Sequence, residues 1–201
     1  MFNTPNVLHE TASGGVITTL LDEQFARREI EIVGTIDRTL AMDTVRALRY
    51  LSFLNSKLPI TMLINSNGGD ILPGLSIYDT MRTISCPVYT ICVGEASSMG
   101  ALLLAAGEKG HRAMLKNSSV MIHDPIQAGG GGPALCVEEQ TKKMMRMRQQ
   151  IAEIMAESTG QSIEEVLKKT AKDYYSDAHG AIEFGLVDGV IKSWGGGNHD
   201  S

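Results

Sequence analysis

The chain has 201 residues, with 43% hydrophobic and 20% charged residues and a formal net charge of −5. That length suits one domain with a real core, and the composition is that of a globular protein. The acidic balance, with no basic run, argues against a nucleic-acid binder. The apolar run from Ala101 to Ala106 is far too short to span a bilayer. The start, Met1-Phe2-Asn3-Thr4-Pro5, lacks the basic and apolar pattern of a secretory signal. Cys86, Cys92 and Cys136 form no CxxC pair. Buried structural thiols in a reducing cytoplasm are therefore expected, not a disulfide framework or a zinc site.

In chain order, residues 1–18 read as irregular and flexible, with Ser13-Gly14-Gly15 as the loosest point. A short helix is predicted from Leu20 to Arg27. Glu29-Ile30-Glu31-Ile32-Val33 alternates as a strand that Gly34 ends. Leu40, Val45, Leu48 and Leu51 stand at helical spacing. Ile60 to Ile64 is an apolar strand, followed by the turn cluster Asn65-Ser66-Asn67-Gly68-Gly69. A helix through Leu75 to Ile84 stops at Cys86-Pro87. Val88 to Val93 is another strand, and a helix runs from Ser98 to about Gly107. Strands follow near 112–115 and 119–123. Gly129 to Gly132 make a loose loop. A long helix is predicted over 134–159, with Met144, Met147, Ile151 and Ile154 on one stripe, and a second starts at Ser162. The tail from 194 reads as disordered. Alternating strands and helices predict an α/β fold with parallel pairing and one domain over 19–193.

Ala96-x-Ser98-x-Gly100 is close to the small-x-Ser-x-small turn that carries a nucleophile between strand and helix. Small neighbours let the backbone turn sharply, and the helix start offers N–H donors to an oxyanion. The plainer alternative is that Ser97 or Ser98 only caps the helix. His123 closes the strand Val120-Met121-Ile122, at the carboxyl end where α/β sites gather. The alternative is a hydrogen-bonded structural histidine. Asp124 and Asp173 both compete to orient the base. Asp124 would point away on an extended chain, whereas Asp173 ends a charged helical stretch; the residues alone leave the choice open. The Gly68-Gly69 pair admits close backbone approach to a ligand, or is an ordinary turn. Gly129 to Gly132 lacks the Lys-Ser/Thr of a phosphate loop. No cofactor and no metal are expected, since no two histidines stand at i and i+4 beside a glutamate.

Together these segments resemble the proteolytic subunit of the Clp protease, the ClpP family. The resemblance is carried by Ile64-Asn65-Ser66-Asn67-Gly68-Gly69, Ser76 to Met81, Gly94 to Gly100, Val120 to His123, Thr159-Gly160-Gln161 and Glu183 to Asp188, in order, from about Asn6 to Lys192. It implies a ClpP/crotonase-like spiral of βαβ units with a protruding helical handle over 134–159, an axial N-terminal segment over 1–18 and a tail over 194–201. It implies Ser98 as nucleophile, His123 as base and Asp173 as orienting acid. It further implies an oxyanion hole from the N–H groups of Gly69 and Met99, and a substrate strand along Asp70, Ile71 and Pro125. The implied partners are an AAA+ unfoldase of the ClpX, ClpA or ClpC type and unfolded protein substrates, with no nucleic acid and no membrane. The implied assembly is a seven-membered ring stacked into a fourteen-subunit chamber in the cytoplasm.

Four departures stand out. Asn67 replaces a usual proline, Asp70 replaces an apolar residue, and Ala171-Lys172 replaces an acidic residue and arginine that help join two rings. Thr61, Leu63, Thr83 and Ala113 fall where the unfoldase-docking pocket often carries aromatic side chains. These departures raise the alternative of a variant paralogue, serving as a structural or docking subunit in mixed rings with a second ClpP isoform. A crotonase-type acyl-CoA enzyme on the same fold, and an α/β-hydrolase, are the more distant alternatives.

Overall fold

The computed structural model describes residues 5–11, 14–126 and 134–194. Within the segment read as irregular over 1–18, two strands form instead: β1 (Asn6–Thr11) pairs antiparallel with β2 (Gly14–Thr19), from Asn6 opposite Thr19 to Thr11 opposite Gly14. The glycine pair that suggested looseness begins the second strand. The helix α1 (Leu20–Ala26) starts at a reciprocal cap, in which the Thr19 hydroxyl accepts from the Asp22 N–H and the Asp22 carboxylate accepts from the Thr19 N–H.

The main sheet begins with β3 (Glu29–Ile36), which runs past Gly34 through a register shift between Val33 and Thr35. The expectation that Gly34 ends the strand is therefore corrected: a bulge absorbs it. Helix α2 (Arg38–Leu54) starts at Asp37, whose carboxylate accepts from the Leu40 N–H at 2.8 Å, and buries Ala41, Thr44, Leu48 and Leu51 along one stripe. Strand β4 (Ile60–Gly69) takes in the whole Asn65–Gly69 cluster predicted as a turn. Ser66 explains this. Its hydroxyl donates to the Gly34 carbonyl at 2.6 Å and accepts from the Gly68 N–H at 3.0 Å, tying the end of β4 to the bulge in β3.

Helix α3 (Ile71–Thr83) leads to β5 (Val88–Ser97), and α4 (Met99–Ala105) follows directly. Strands β6 (Arg112–Met114) and β7 (Ser119–Ile122) then both pair parallel with β5, on the same side but at different levels. Thr90–Cys92 face β6 and Glu95–Ser97 face β7, so the sheet splits along β5. The path β3-β4-β5-β6-β9 is parallel throughout. Helix α5 (Ala134–Thr159) and α6 (Ile163–Thr170) come next. Strand β8 (Tyr174–Ser176) pairs antiparallel with β7, helix α7 (Ala178–Phe184) follows, and β9 (Gly189–Val190) closes the sheet beside β6. This is a mixed α/β fold with a mostly parallel sheet and seven helices among the described residues.

The core lies between the sheet and α4. Every residue of α4 is buried, and Ile32, Ile64, Met62 and Leu103 are fully enclosed. A helix buried on all sides carries no polar face, which is why Met99–Ala105 is wholly apolar or glycine. The far ends of α4 and α5 are capped by one side chain. Arg112, 5% exposed, donates from Nη1 to the carbonyls of Ala105 and Ser158, and grips Asp188 with Nε and Nη2. Cys86 and Cys92 are buried as expected, but Cys136 is exposed, which corrects the reading of all three as interior thiols. The loop predicted at Gly129 to Gly132 and the tail from 195 fall outside the described residues.

Candidate functional site

The site starts at the junction of β5 and α4. Ser98 has φ 54° and ψ −118°, a conformation that costs a residue with a side chain about 1–3 kcal/mol. Among the described residues only Arg28 and Ser98 combine a side chain with positive φ. The Ser98 N–H donates to the Met121 carbonyl at 2.8 Å, so the strained turn is held from behind by β7. Its side chain makes no capping hydrogen bond. The neighbouring Ser97 differs: it is 2% exposed and its hydroxyl donates to Glu95 at 2.5 Å. Capping, the plainer explanation for these serines, therefore accounts for neither hydroxyl.

The glycine turn of β4 packs onto this junction. A Cβ on Gly68, at φ +89°, would stand 2.7 Å from the Ser97 carbonyl, 2.7 Å from the Ser98 Cβ and 3.3 Å from the Met99 nitrogen. A Cβ on Gly69 would strike the Ile36 backbone at 2.4 Å. Glycine is thus required twice by close approach, and the β4 backbone lies beside the first turn of α4. The first N–H groups of any helix lack intrahelical acceptors, so Met99 presents a donor next to the glycine turn. Replacing Gly68 by alanine should cost about 1–2 kcal/mol for the left-handed backbone and a further ~1–3 kcal/mol for the overlap. A lowered melting temperature together with loss of reactivity at Ser98 checks this. A neutral effect on both would contradict the packing described.

His123 follows β7 directly. Since Ser97 stands opposite Met121, the chain places His123 two residues beyond the register partner of the residue before Ser98. Ser98 and His123 line one cleft with Met99, Ile71 and Pro125, about 490 Å³ including space open to solvent. The His123 side chain is 15% exposed, and its Nδ1 lies 3.9 Å from Oδ1 of Asp173. That distance is an ion-pair approach rather than a made hydrogen bond; such contacts commonly tighten once a ligand is bound. Asp173 comes from the turn between α6 and β8, and the antiparallel pairing of β8 with β7 carries it to the histidine. The competing carboxylate, Asp124, is engaged elsewhere. It accepts from Arg148 Nε at 2.7 Å and from the Thr170 hydroxyl at 2.8 Å.

Other candidates stand apart. Gly69 and Asp70 line an adjoining groove with Arg38 and Leu72, and Ile71 borders both spaces. Asp70 thus borders the groove next to the Ser98 cleft. His9 pairs with Glu23 at 2.7 Å, and His111 stacks on Tyr89 with ring centroids 3.9 Å apart. Cys92 is not a nucleophile: burial pushes its thiol up to about 11, against a smaller opposing hydrogen bond from Ser118. Among the described residues no group of three or more His, Cys, Asp or Glu side chains could hold a metal ion, and no helix is long and apolar enough to cross a membrane. Sequence reasoning missed Arg148 and Thr170. Their contacts with Asp124 span 24 and 46 residues, and no local pattern signals them.

A serine in a strained strand-to-helix turn, a histidine in the same cleft and a carboxylate behind the histidine fit acyl transfer on a peptide-like carbonyl. The sequence matches the family model described as Clp protease over residues 12–194. The chain belongs to the Clp protease family and is a Clp-type peptidase.

Proposed function

We propose that this peptidase is a serine endopeptidase with Ser98 as nucleophile, His123 as general base and Asp173 as the group that orients the imidazole. The observation that carries the proposal is the strained Ser98, free of capping, in one cleft with His123. In the proposed reaction His123 takes the proton as Ser98 Oγ attacks the peptide carbonyl. The N–H groups of Gly69 and Met99 receive the developing oxyanion. His123 then returns the proton to the leaving amine, and water releases the acyl group by the same route. Each oxyanion donor is worth about 10²–10³ in rate. Ile71 and Pro125 border the cleft, and Asp70 flanks the neighbouring stretch of a bound strand.

Family membership implies an oligomeric protease that works with Clp ATPases. We extend this to a ring-stacked chamber in the cytoplasm that receives unfolded chains from an AAA+ unfoldase. A second reading, a docking subunit of a mixed ring, rests on the thin aromatic content around Thr61, Leu63, Thr83 and Ala113. One structural detail weighs against it. Thr61 is the register partner of Tyr89, and Tyr89 carries the stacked His111 ring, so this row of the sheet is not without aromatic surface. Hydrolysis of a short peptide and of an unfolded protein by the purified chain, each with and without a Clp ATPase and ATP, separates the readings. ATPase-stimulated proteolysis by this chain alone supports the first. Activity only after mixing with a second isoform supports the second.

A further inference from the structure

Asp124 is the next residue after His123, and its links reach the end of α6 and the flank of α5. Its N–H donates to the Thr170 carbonyl at 2.8 Å, and its Oδ1 accepts from the Thr170 hydroxyl at 2.8 Å. Thr170 ends α6, three residues before Asp173, and is 7% exposed. Oδ2 of Asp124 accepts from Nε of Arg148, on the middle of α5, at 2.7 Å. The three side chains therefore bind the end of β7, the end of α6 and the flank of α5 at one point. Two backbone and side-chain bonds in parallel between Asp124 and Thr170 limit how far the chain segments holding His123 and Asp173 can separate. Charge-assisted bonds of this kind are the stronger ones in a partly buried setting, and the Asp124 and Arg148 side chains are 31% and 28% exposed. Arg148 also lines the Ser98 cleft.

We infer that Asp124, with Thr170 and Arg148, forms a positioning clamp that sets the His123–Asp173 approach and makes it depend on the seating of α5. The inference rests on the reading of Ser98, His123 and Asp173 as the reacting set. The 3.9 Å separation of His123 and Asp173 leaves that approach sensitive to small movements of either segment, and a displacement of about 1 Å can cost 10²-fold in rate.

The test measures second-order labelling of Ser98 by a fluorophosphonate on the purified full chain. The charged groups around His123 are Asp173 before β8, Asp124 beside it and Arg148 from α5. Substituting Asp124 changes that charge directly, so the clamp is read first on Thr170→Val, which leaves it unaltered. Thr170→Val is expected to slow labelling about ten- to a hundredfold. Thr170→Ser should restore most of the labelling, which separates a lost hydroxyl bond from lost packing. Arg148→Ala and Asp124→Asn should each slow labelling, and the double variant should be no slower than the worse single one. Wild-type labelling in Thr170→Val, or slowed labelling that Thr170→Ser does not restore, would overturn the clamp and leave the reacting set standing. Phosphonate attachment that persists in Ser98→Ala would overturn the reacting set and the clamp with it.

Discussion

Replacing Ser98 by alanine is expected to lower kcat for a short peptide by about 10⁶-fold, with the fold intact. The side chain caps nothing, so its removal costs no helix hydrogen bond. Alanine inherits the positive φ, a penalty the serine already bears, so the melting temperature should change little. Whatever acceleration survives would come from the oxyanion donors and substrate binding alone, about 10³–10⁴ over water. Ser97→Ala provides the contrast. It removes a part-buried hydrogen bond to Glu95 and should cost about 1 kcal/mol of stability, while the reaction at Ser98 continues. Peptide hydrolysis and thermal melts on the two variants check this pair of outcomes.

The largest expected effect on stability lies at Arg112. Its guanidinium holds Asp188 through two donors, at 3.0 and 2.6 Å, and donates to the terminal carbonyls of α4 and α5 at 3.0 and 2.7 Å. Arg112→Ala leaves a partly buried carboxylate with only the backbone N–H groups of residues 110 and 112 as donors, and strips two helix-end carbonyls of the guanidinium. Breaking such a pair costs about 3–5 kcal/mol, a large share of a typical ~5–15 kcal/mol of stability. Arg112→Lys should not rescue it, because an ammonium cannot reproduce the planar fork. The pair also sets an acid dependence. Burial alone would raise the Asp188 carboxyl, but its hydrogen bonds from Arg112 and Gly110 and the Arg112 charge outweigh this and hold it below the ordinary carboxylate range. A carboxyl lowered in the folded state adds stability that is complete above its unfolded value, about 3.9, and is lost as pH falls through the folded value. Urea melts at neutral pH and through the range below about pH 4 should show wild type losing this contribution, while Asp188→Asn lacks it throughout.

How far the sequence could be read follows from where the determining contacts lie. Local signals placed α2, β4, β5 and α4, because Leu48 and Leu51 repeat at helical spacing and Ile60–Ile64 and Val88–Val93 are largely apolar runs, each broken by one threonine. Their ends were misjudged where a distant side chain decides: Ser66 bonds to Gly34 across 32 residues and so keeps the Asn65–Gly69 cluster in the strand. The elements β8, α7 and β9 are three, seven and two residues long and carry too little period to be seen. Asp177 before α7, accepting from the Gly180 N–H, with Gly185 after it was the available clue. At the site, the strand-to-helix turn at Ser98 and the strand-end setting of His123 were readable locally. Which carboxylate approaches the His123 ring was not, since it depends on β8 pairing with β7 and on Arg148 and Thr170 occupying Asp124. Asp70, grouped with the substrate strand by resemblance, turned out to border the adjoining groove.

The most direct test of the central claim is to treat the purified chain with a fluorophosphonate and map the modified residue by peptide mass spectrometry. A single adduct on Ser98, absent in His123→Ala, is the predicted result. An adduct on Ser97, or labelling of Ser98 that is indifferent to His123, would contradict the account.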